Sequence, residues 1–398
     1  MKQPIRRKLI DNGVVKKDVE PILTLVIDGN SILKQSLVDT TVGTNGKEYG
    51  AIMQTFIVIK RLLKMRDWNS VYIIFDGDNS GQLRYNFYPD YKQNRDKNYK
   101  NIGESKSAYD KSIDDFVKRT FKYYNEKRRM SEKQPKRHET DDERFQNQRE
   151  ILMEMCECLF IRVLMYDEVE SDDVIAYMVK NKQENEKICI VSNDRDLTQL
   201  IDSDVCVYIP SKKEIVTDKN SIDKLGYTHE NVVIYKMLCG DSSDNIKGIK
   251  GIGDTTFFKY YPDAVNKKVD LNYIFERSRV LNEERIKSKQ KPLKALENVL
   301  NHVTDGCQDK MVYEINERLI DLHKYILLTE EAEEDLKETI GAPLDPEGRD
   351  FKELYKIVSD NGMTELITDN KFSTFFSDFA KLMDNERKFF KKFEDSQL

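Results

Sequence analysis

Nine carboxylates stand where a phosphoryl-transfer site would need them. Asp28 closes the apolar run ILTLVIDGN (22–30), Asp76 closes VYIIFDGD (71–78), and Asp194 closes KICIVSND (187–194), with Asp196 two residues on. EVESDDVIAYMV adds Glu170, Asp172 and Asp173 at a strand-to-helix junction. MLCGDSSDNIKGIKGIGDTT adds Asp241 and Asp244, whose i, i+3 spacing predicts one shared helical face. In an open parallel sheet, ligands bind beyond the carboxyl ends of the strands, so these side chains should converge on one crevice. They cannot all stay ionised there without a cation among them. Oxygen ligands without histidine or thiolate select Mg2+ or Mn2+ over zinc, and two such ions about 4 Å apart can clamp both oxygens of an in-line displacement. Each motif alone has a plainer reading: Ser171 as a helix cap with Asp172 and Asp173 in the first turn, or a lone Asp as a turn residue after a strand. Their order along the chain favours the chemical one.

The elements that must position these residues are short β-rich runs alternating with helical stretches. CLFIRVLM (158–165) and VCVYIPS (205–211) join the three runs above as strands, and AIMQTFIVIKRLLKMRD (51–67) and SDDVIAYMVKNKQ (171–183) read as helices. The pattern predicts an α/β protein with a central, mostly parallel sheet flanked by helices. After about residue 220 strand signals fade, and the remainder reads as helical with loops. The 398 residues divide into an N-terminal extension (1–20), an α/β core (21–220), a region around the glycine-rich turn (221–300) and a helical C-terminal region (301–398). There is no long apolar run and no signal peptide, so a cytoplasmic protein without membrane contact is expected. The six cysteines sit mostly in apolar contexts, as reduced core thiols do.

Net charge is −6, yet residues 92–137 hold fifteen Lys or Arg against seven Asp or Glu. A basic segment interrupts an acidic protein. Tyr and Phe are interleaved with its cations, a combination that can follow a phosphate backbone and stack bases. A solvated charged insertion is the plainer alternative.

Taken in order, VIDGNSIL, FDGDNSGQLRYNFYPDYKQNRDKN, EVESDDVIA, VSNDRDLTQL and GDSSDNIKGIKGIGDTT, spanning roughly residues 22 to 262, resemble the structure-specific 5′ nucleases: flap endonucleases, the 5′ nuclease domain of DNA polymerase I, and the phage 5′ exonucleases and replication RNase H enzymes. The resemblance implies a PIN-like core with two divalent metals, Mg2+ or Mn2+. Asp28, Asp76, Glu170 and Asp172 would surround one ion, and Asp172, Asp194, Asp196, Asp241 and Asp244 the other, with Asp173 matching a position acidic in only part of the family. It implies that residues 92–150 form a helical arch over the site, with Lys92 and Arg95 facing the scissile phosphate and Tyr91 stacking on a base. It also implies a helix-turn-helix in which Gly248, Lys250, Gly251 and Gly253, with Lys259 downstream, contact duplex phosphates beside a bound K+. Thr255 stands where the family usually carries Lys. The activity implied is Mg2+-dependent 5′-3′ exonuclease and flap endonuclease cleavage, with RNase H-type primer removal in DNA replication, by a free-standing monomer. Its partners would be nicked or branched DNA, 5′ flaps and RNA–DNA primer hybrids. NKFSTFFSDF (370–379) has an aromatic spacing faintly like a contact for a sliding clamp or single-strand-binding protein, although such rings at helical spacing also suit a core. A catalytically silent junction-binding protein and a PIN-type ribonuclease are the competing readings.

Overall fold

Strands β1 (Ile22–Asp28), β2 (Ser70–Asp76), β3 (Arg162–Tyr166), β4 (Glu186–Val191), β5 (Val205–Ile209) and β6 (Glu214–Val216) form one sheet in the order β3-β2-β1-β4-β5-β6. The computed structural model describes residues 20–93, 140–304, 308–368 and 370–397; Arg95 and most of the expected arch lie outside them. All pairings are parallel except β5–β6, and β1 lies between β2 and β4, with Asp28 opposite Ile74 and Ile27 opposite Val191. A parallel sheet covered on both faces wants continuous apolar strands, and Leu25, Val26 and Ile27 of β1 are all fully buried.

Successive residues of β1 therefore serve two cores. Leu25 and Ile27 pack with Ile52 and Phe56 of α2 (Gly50–Met65), which follows α1 (Gly29–Ser36), and with Leu152 of α3 (Thr140–Cys158), whereas Val26 faces Val174 and Ile175 of α4 (Ser171–Lys180). The predicted strand at 158–165 starts later than expected. The apolar face of α3 runs on to Cys158, and a turn with Phe160 at φ 59° intervenes before β3. Strand β6 has no counterpart among the expected strands, because a three-residue EIV pairing gives no periodicity to read.

Beyond the sheet, α5 (Val232–Cys239), α6 (Asp254–Tyr260), α7 (Leu271–Lys287), α8 (Lys294–Leu300) and α9 (Val312–Ile320) enclose a third apolar cluster that includes Tyr88, Tyr91, Ile249 and Phe257. Asp241 and Asp244 do not share a helical face. Gly240, at φ 76° and ψ 179°, ends α5, and Gly240–Asp241 pairs antiparallel with Ile246–Lys247, so both aspartates lie in a small hairpin. Helices α10 (Phe351–Asp360), α11 (Lys371–Phe376) and α12 (Ala380–Gln397) return to the α2 face, where Phe376 and Phe379 meet Phe56 edge-on at 5.7 and 5.8 Å. Both rings are fully buried, so Phe376 and Phe379 serve the core, whereas Phe372 and Phe375 of the same segment are only partly buried.

Candidate active site

Strand ends place the first carboxylates. Asp28 caps the helix Gly29–Ser36 by accepting from Ser31 N (2.9 Å) and also accepts from Ser192 Oγ (2.7 Å) after β4, which fixes its rotamer. Asp76 accepts from Ser171 N (2.9 Å), tying the end of β2 to the start of α4. Glu170 stands at the N-cap of that helix, and Asp172 and Asp173 lie in its first turn, where the helix dipole favours anions. Asp194 accepts from Asp196 N (2.8 Å) in the turn after β4.

Three cations of the chain enter this anionic crevice. Arg84 is buried and bonds Glu170 (2.8 Å) and both oxygens of Asp173 (2.5 and 3.1 Å). Lys92 Nζ lies 2.5 Å from Glu170 Oε1 and 3.8 Å from Asp244 Oδ2, and its backbone N–H donates to Asp244 O (3.0 Å). Lys236 of α5 bridges Asp196 and Asp241, 2.6 Å from the latter. Sequence reasoning missed Arg84 and Lys236. Each meets its partner's charge across 86 and 40 positions respectively, a separation that local pattern cannot see.

The charge balance is uneven across the crevice. Burial, then the Asp76 and Asp194 carboxylates, pushes Asp28 up to about 7. Burial, and then the Asp194 and Asp28 carboxylates, raises Asp172 well above the carboxylate range, opposed by Lys92. Asp196 is pushed up to about 7 by burial and Asp194 even with Lys236 bonded to it. Burial also works against the Asp241 carboxylate, but Lys236 and Ser243 outweigh it and bring Asp241 down to about 2. Asp28, by contrast with Asp241, is held by hydroxyl and amide donors of Ser192 and Ser31 rather than by a cation of the chain.

The structure qualifies several expectations. Among the described residues, no three of these carboxylates close on a common point as ligands of one ion would. Asp173 is turned away from the crevice, 1% exposed, between Arg84 and Leu327 N. Tyr91 is 2% exposed, with its hydroxyl on Glu170 Oε2 (2.8 Å); a ring packed in the third cluster offers no face to a base. The three glycines of the turn differ. Gly251 has φ 88°, the left-handed region that glycine reaches without cost. A Cβ on Gly248 would lie 2.3 Å from the Cys239 carbonyl carbon, whereas one on Gly253 would meet nothing within 4 Å. Lys250 and Lys259 are both exposed near this turn.

Residues 23–226 match the family described as 5′-3′ exonuclease, N-terminal resolvase-like domain. A 5′-3′ exonuclease of Aquifex aeolicus is 29% identical over 178 residues, covering 40% of this chain and 62% of that protein. A 5′-3′ exonuclease of Mycoplasma pneumoniae is 44% identical over 93 residues (22% and 32%), and a DNA polymerase I of Caldicellulosiruptor bescii is 40% identical over 101 (24% and 12%). The chain thus spans less than two thirds of the length of these relatives. Among solved structures, the phage T5 5′-exonuclease with bound zinc superposes with a TM-score of 0.53 at 16% identity, covering 85% of this chain and 98% of that one. The phage T5 flap endonuclease with DNA and metal ions gives 0.51 at 18%, covering 85% and 97%. Both likenesses concern the fold, a mostly parallel sheet flanked by helices.

Proposed function

The chain belongs to the 5′-3′ exonuclease family, and from that premise we propose that it is a Mg2+-dependent, structure-specific 5′ nuclease acting on flaps, nicks and RNA–DNA primer hybrids during replication. One observation supports this reading most: Asp28 and Asp172 gather at the carboxyl end of β1 and the start of α4, and burial together with the nearby Asp194 carboxylate raises the proton affinity of both. Buried like charges are costly, and a fold keeps them where something positive binds. The donors are all oxygens, which fits Mg2+ or Mn2+. Asp28, Asp76, Glu170 and Asp172 would hold one ion, and Asp172, Asp194, Asp196, Asp241 and Asp244 the other. When bound, such ions supply a water of lowered pKa and neutralise charge on the phosphoryl oxygens.

The chain's own residues do the rest. Asp28 is held in one rotamer by Ser31 and Ser192, and preorganised ligands need not reorder. Arg84 holds Glu170 from behind, so its other oxygen faces the crevice, where Lys92 lies. Lys92 supplies a fixed positive charge against a scissile phosphate, the kind of contact that stabilises developing charge. The turn at Gly248 to Gly253 would grip duplex phosphates, with a K+ ion as an added bridge. The protein would act in the cytoplasm as a monomer; among the described residues, no helix is long and apolar enough to cross a membrane.

The test is a 5′-flap cleavage time course with gel-shift binding, wild type beside Asp172→Asn, in Mg2+ and in Ca2+. Asp172 is placed between the two sets, so the variant should lose cleavage by several orders of magnitude while binding the flap as well or better, since an anion has left a crowded pocket. Ca2+, with its looser coordination, should give wild type the same phenotype. Wild type that binds but never cuts in Mg2+ or Mn2+ would make the chain a silent junction-binding protein. A fully active Asp172→Asn would overturn the ligand assignment.

A further inference from the structure

The junction of α7 and α8, from the last turn of α7 through the loop 288–293 to the first residue of α8, carries five cations and no acid in ten residues: Arg285, Lys287, Lys289, Lys291 and Lys294 within RIKSKQKPLK. Its four lysines are all exposed. Lys294 stands 3.3 Å from Glu297, an exposed pair of little worth. The loop is nevertheless built rather than loose. Asn282, 7% exposed, accepts from Leu293 N (2.8 Å) and pins the far end of the loop to α7. Arg285 Nε donates to Lys291 O (2.9 Å), Gln290 N donates to Arg285 O (2.8 Å), and Lys289 takes φ 57°.

Helix α8, which follows the loop, abuts the glycine-rich turn. Ala295, in the first turn of α8, would stand 3.1 Å from a Cβ on Gly251, and Asn298 Nδ2 donates to Lys250 O (2.9 Å). Helix α6, which follows the turn, contributes one cation, Lys259, in DTTFFKY. Five cations of this junction thus join Lys247 and Lys250 of the hairpin and turn and Lys259 of α6, in a chain of net charge −6. Lysine ammoniums on a prefolded loop suit a repeating array of point charges such as a phosphate backbone, and little ordering entropy remains to be lost on binding.

We propose that residues 285–294 are a second phosphate-binding surface, continuing the grip of the Gly248–Gly253 turn along one strand of a DNA duplex. This rests on the nuclease reading above. The experiment measures fluorescence anisotropy of the full chain with a labelled 5′-flap DNA duplex and with a labelled single strand, in Ca2+, across a salt series. Compared with wild type are a quadruple variant (Lys287→Gln, Lys289→Gln, Lys291→Gln, Lys294→Gln), its two halves as double variants, and a charge-matched control on α12 (Lys381→Gln, Lys388→Gln, Lys391→Gln, Lys392→Gln). Every duplex phosphate that is no longer neutralised should lower the slope of log affinity against log salt by about 0.9. The quadruple variant should lose roughly 2 to 4 in slope and tenfold or more in duplex affinity, each half about half of that slope, and the control neither. An unchanged slope in the loop variants, or an equal change in the control, overturns the proposal and leaves the nuclease reading standing. Wild type that does not bind the flap duplex overturns both.

Discussion

Lys236 sits where the sequence analysis expected only anions, between Asp196 and Asp241. A chain cation bridging two prospective metal ligands competes with the metal for them. Replacing Lys236 with Met should therefore tighten Mn2+ binding, followed by electron paramagnetic resonance, by about tenfold, the equivalent of about 1.4 kcal/mol of pairing no longer broken. The same variant should melt lower in EDTA, since two carboxylates then face each other uncompensated. Mn2+ affinity equal to wild type would show that Lys236 does not compete. The anions also set a pH dependence. With Asp28 and Asp196 pushed up to about 7 in the fold from 3.8, the folded chain holds more protons than the unfolded one between those values. Their stabilising contribution is complete below about pH 4 and is lost as the pH rises through about 7. In EDTA, melting temperature between pH 5 and 8 should therefore decline more steeply in wild type than in Asp28→Asn; parallel profiles would contradict the burial of that charge.

At the scale of elements, the hairpin after α5 makes the sharpest distinction. Gly248→Ala would drive a Cβ into the Cys239–Gly240 backbone, so thermal unfolding should show a clear loss, of the few kcal/mol typical of overpacking. Gly253→Ala, at φ −152° with open space around it, should leave the melting temperature nearly unchanged and lower duplex affinity instead. Equal melting losses would mean that both glycines are purely structural. This hairpin also marks how far the sequence could be read. Strands β1, β2, β4 and β5 were legible because buried parallel strands are unbroken apolar runs, and Asp28, Asp76 and Asp194 followed from the strand ends. The helix assigned to Asp241 and Asp244 failed because one residue, Gly240, leaves the helical region. The pairing of Asp173 was not legible because its partner Arg84 arrives from another motif, and the burial of Tyr91 was not because an aromatic beside cations looks alike whether it packs or stacks.

For the whole molecule, the sheet's α2 face is completed from far along the chain. Phe376 and Phe379 fill the core beside Phe56, and buried Arg162 of β3 pairs with buried Glu386 of α12 at 2.7 Å. Phe376→Ala should destabilise by about 3 to 5 kcal/mol, read from urea unfolding with the flap-binding affinity of the surviving folded fraction unchanged; a loss below about 1 kcal/mol would show these helices to be an appendage. The same closure has a consequence for biosynthesis. The apolar cluster that includes Leu25 and Ile27 is not complete until residues near 380 have been added, which at about 5 to 20 residues per second takes on the order of half a minute. Throughout that interval the carboxylates of Asp28 and Asp76 have been made, but their scaffold is incomplete. A nuclease of the kind proposed above would thus gain its finished scaffold well after its first carboxylates have been made, which would spare the message during that interval.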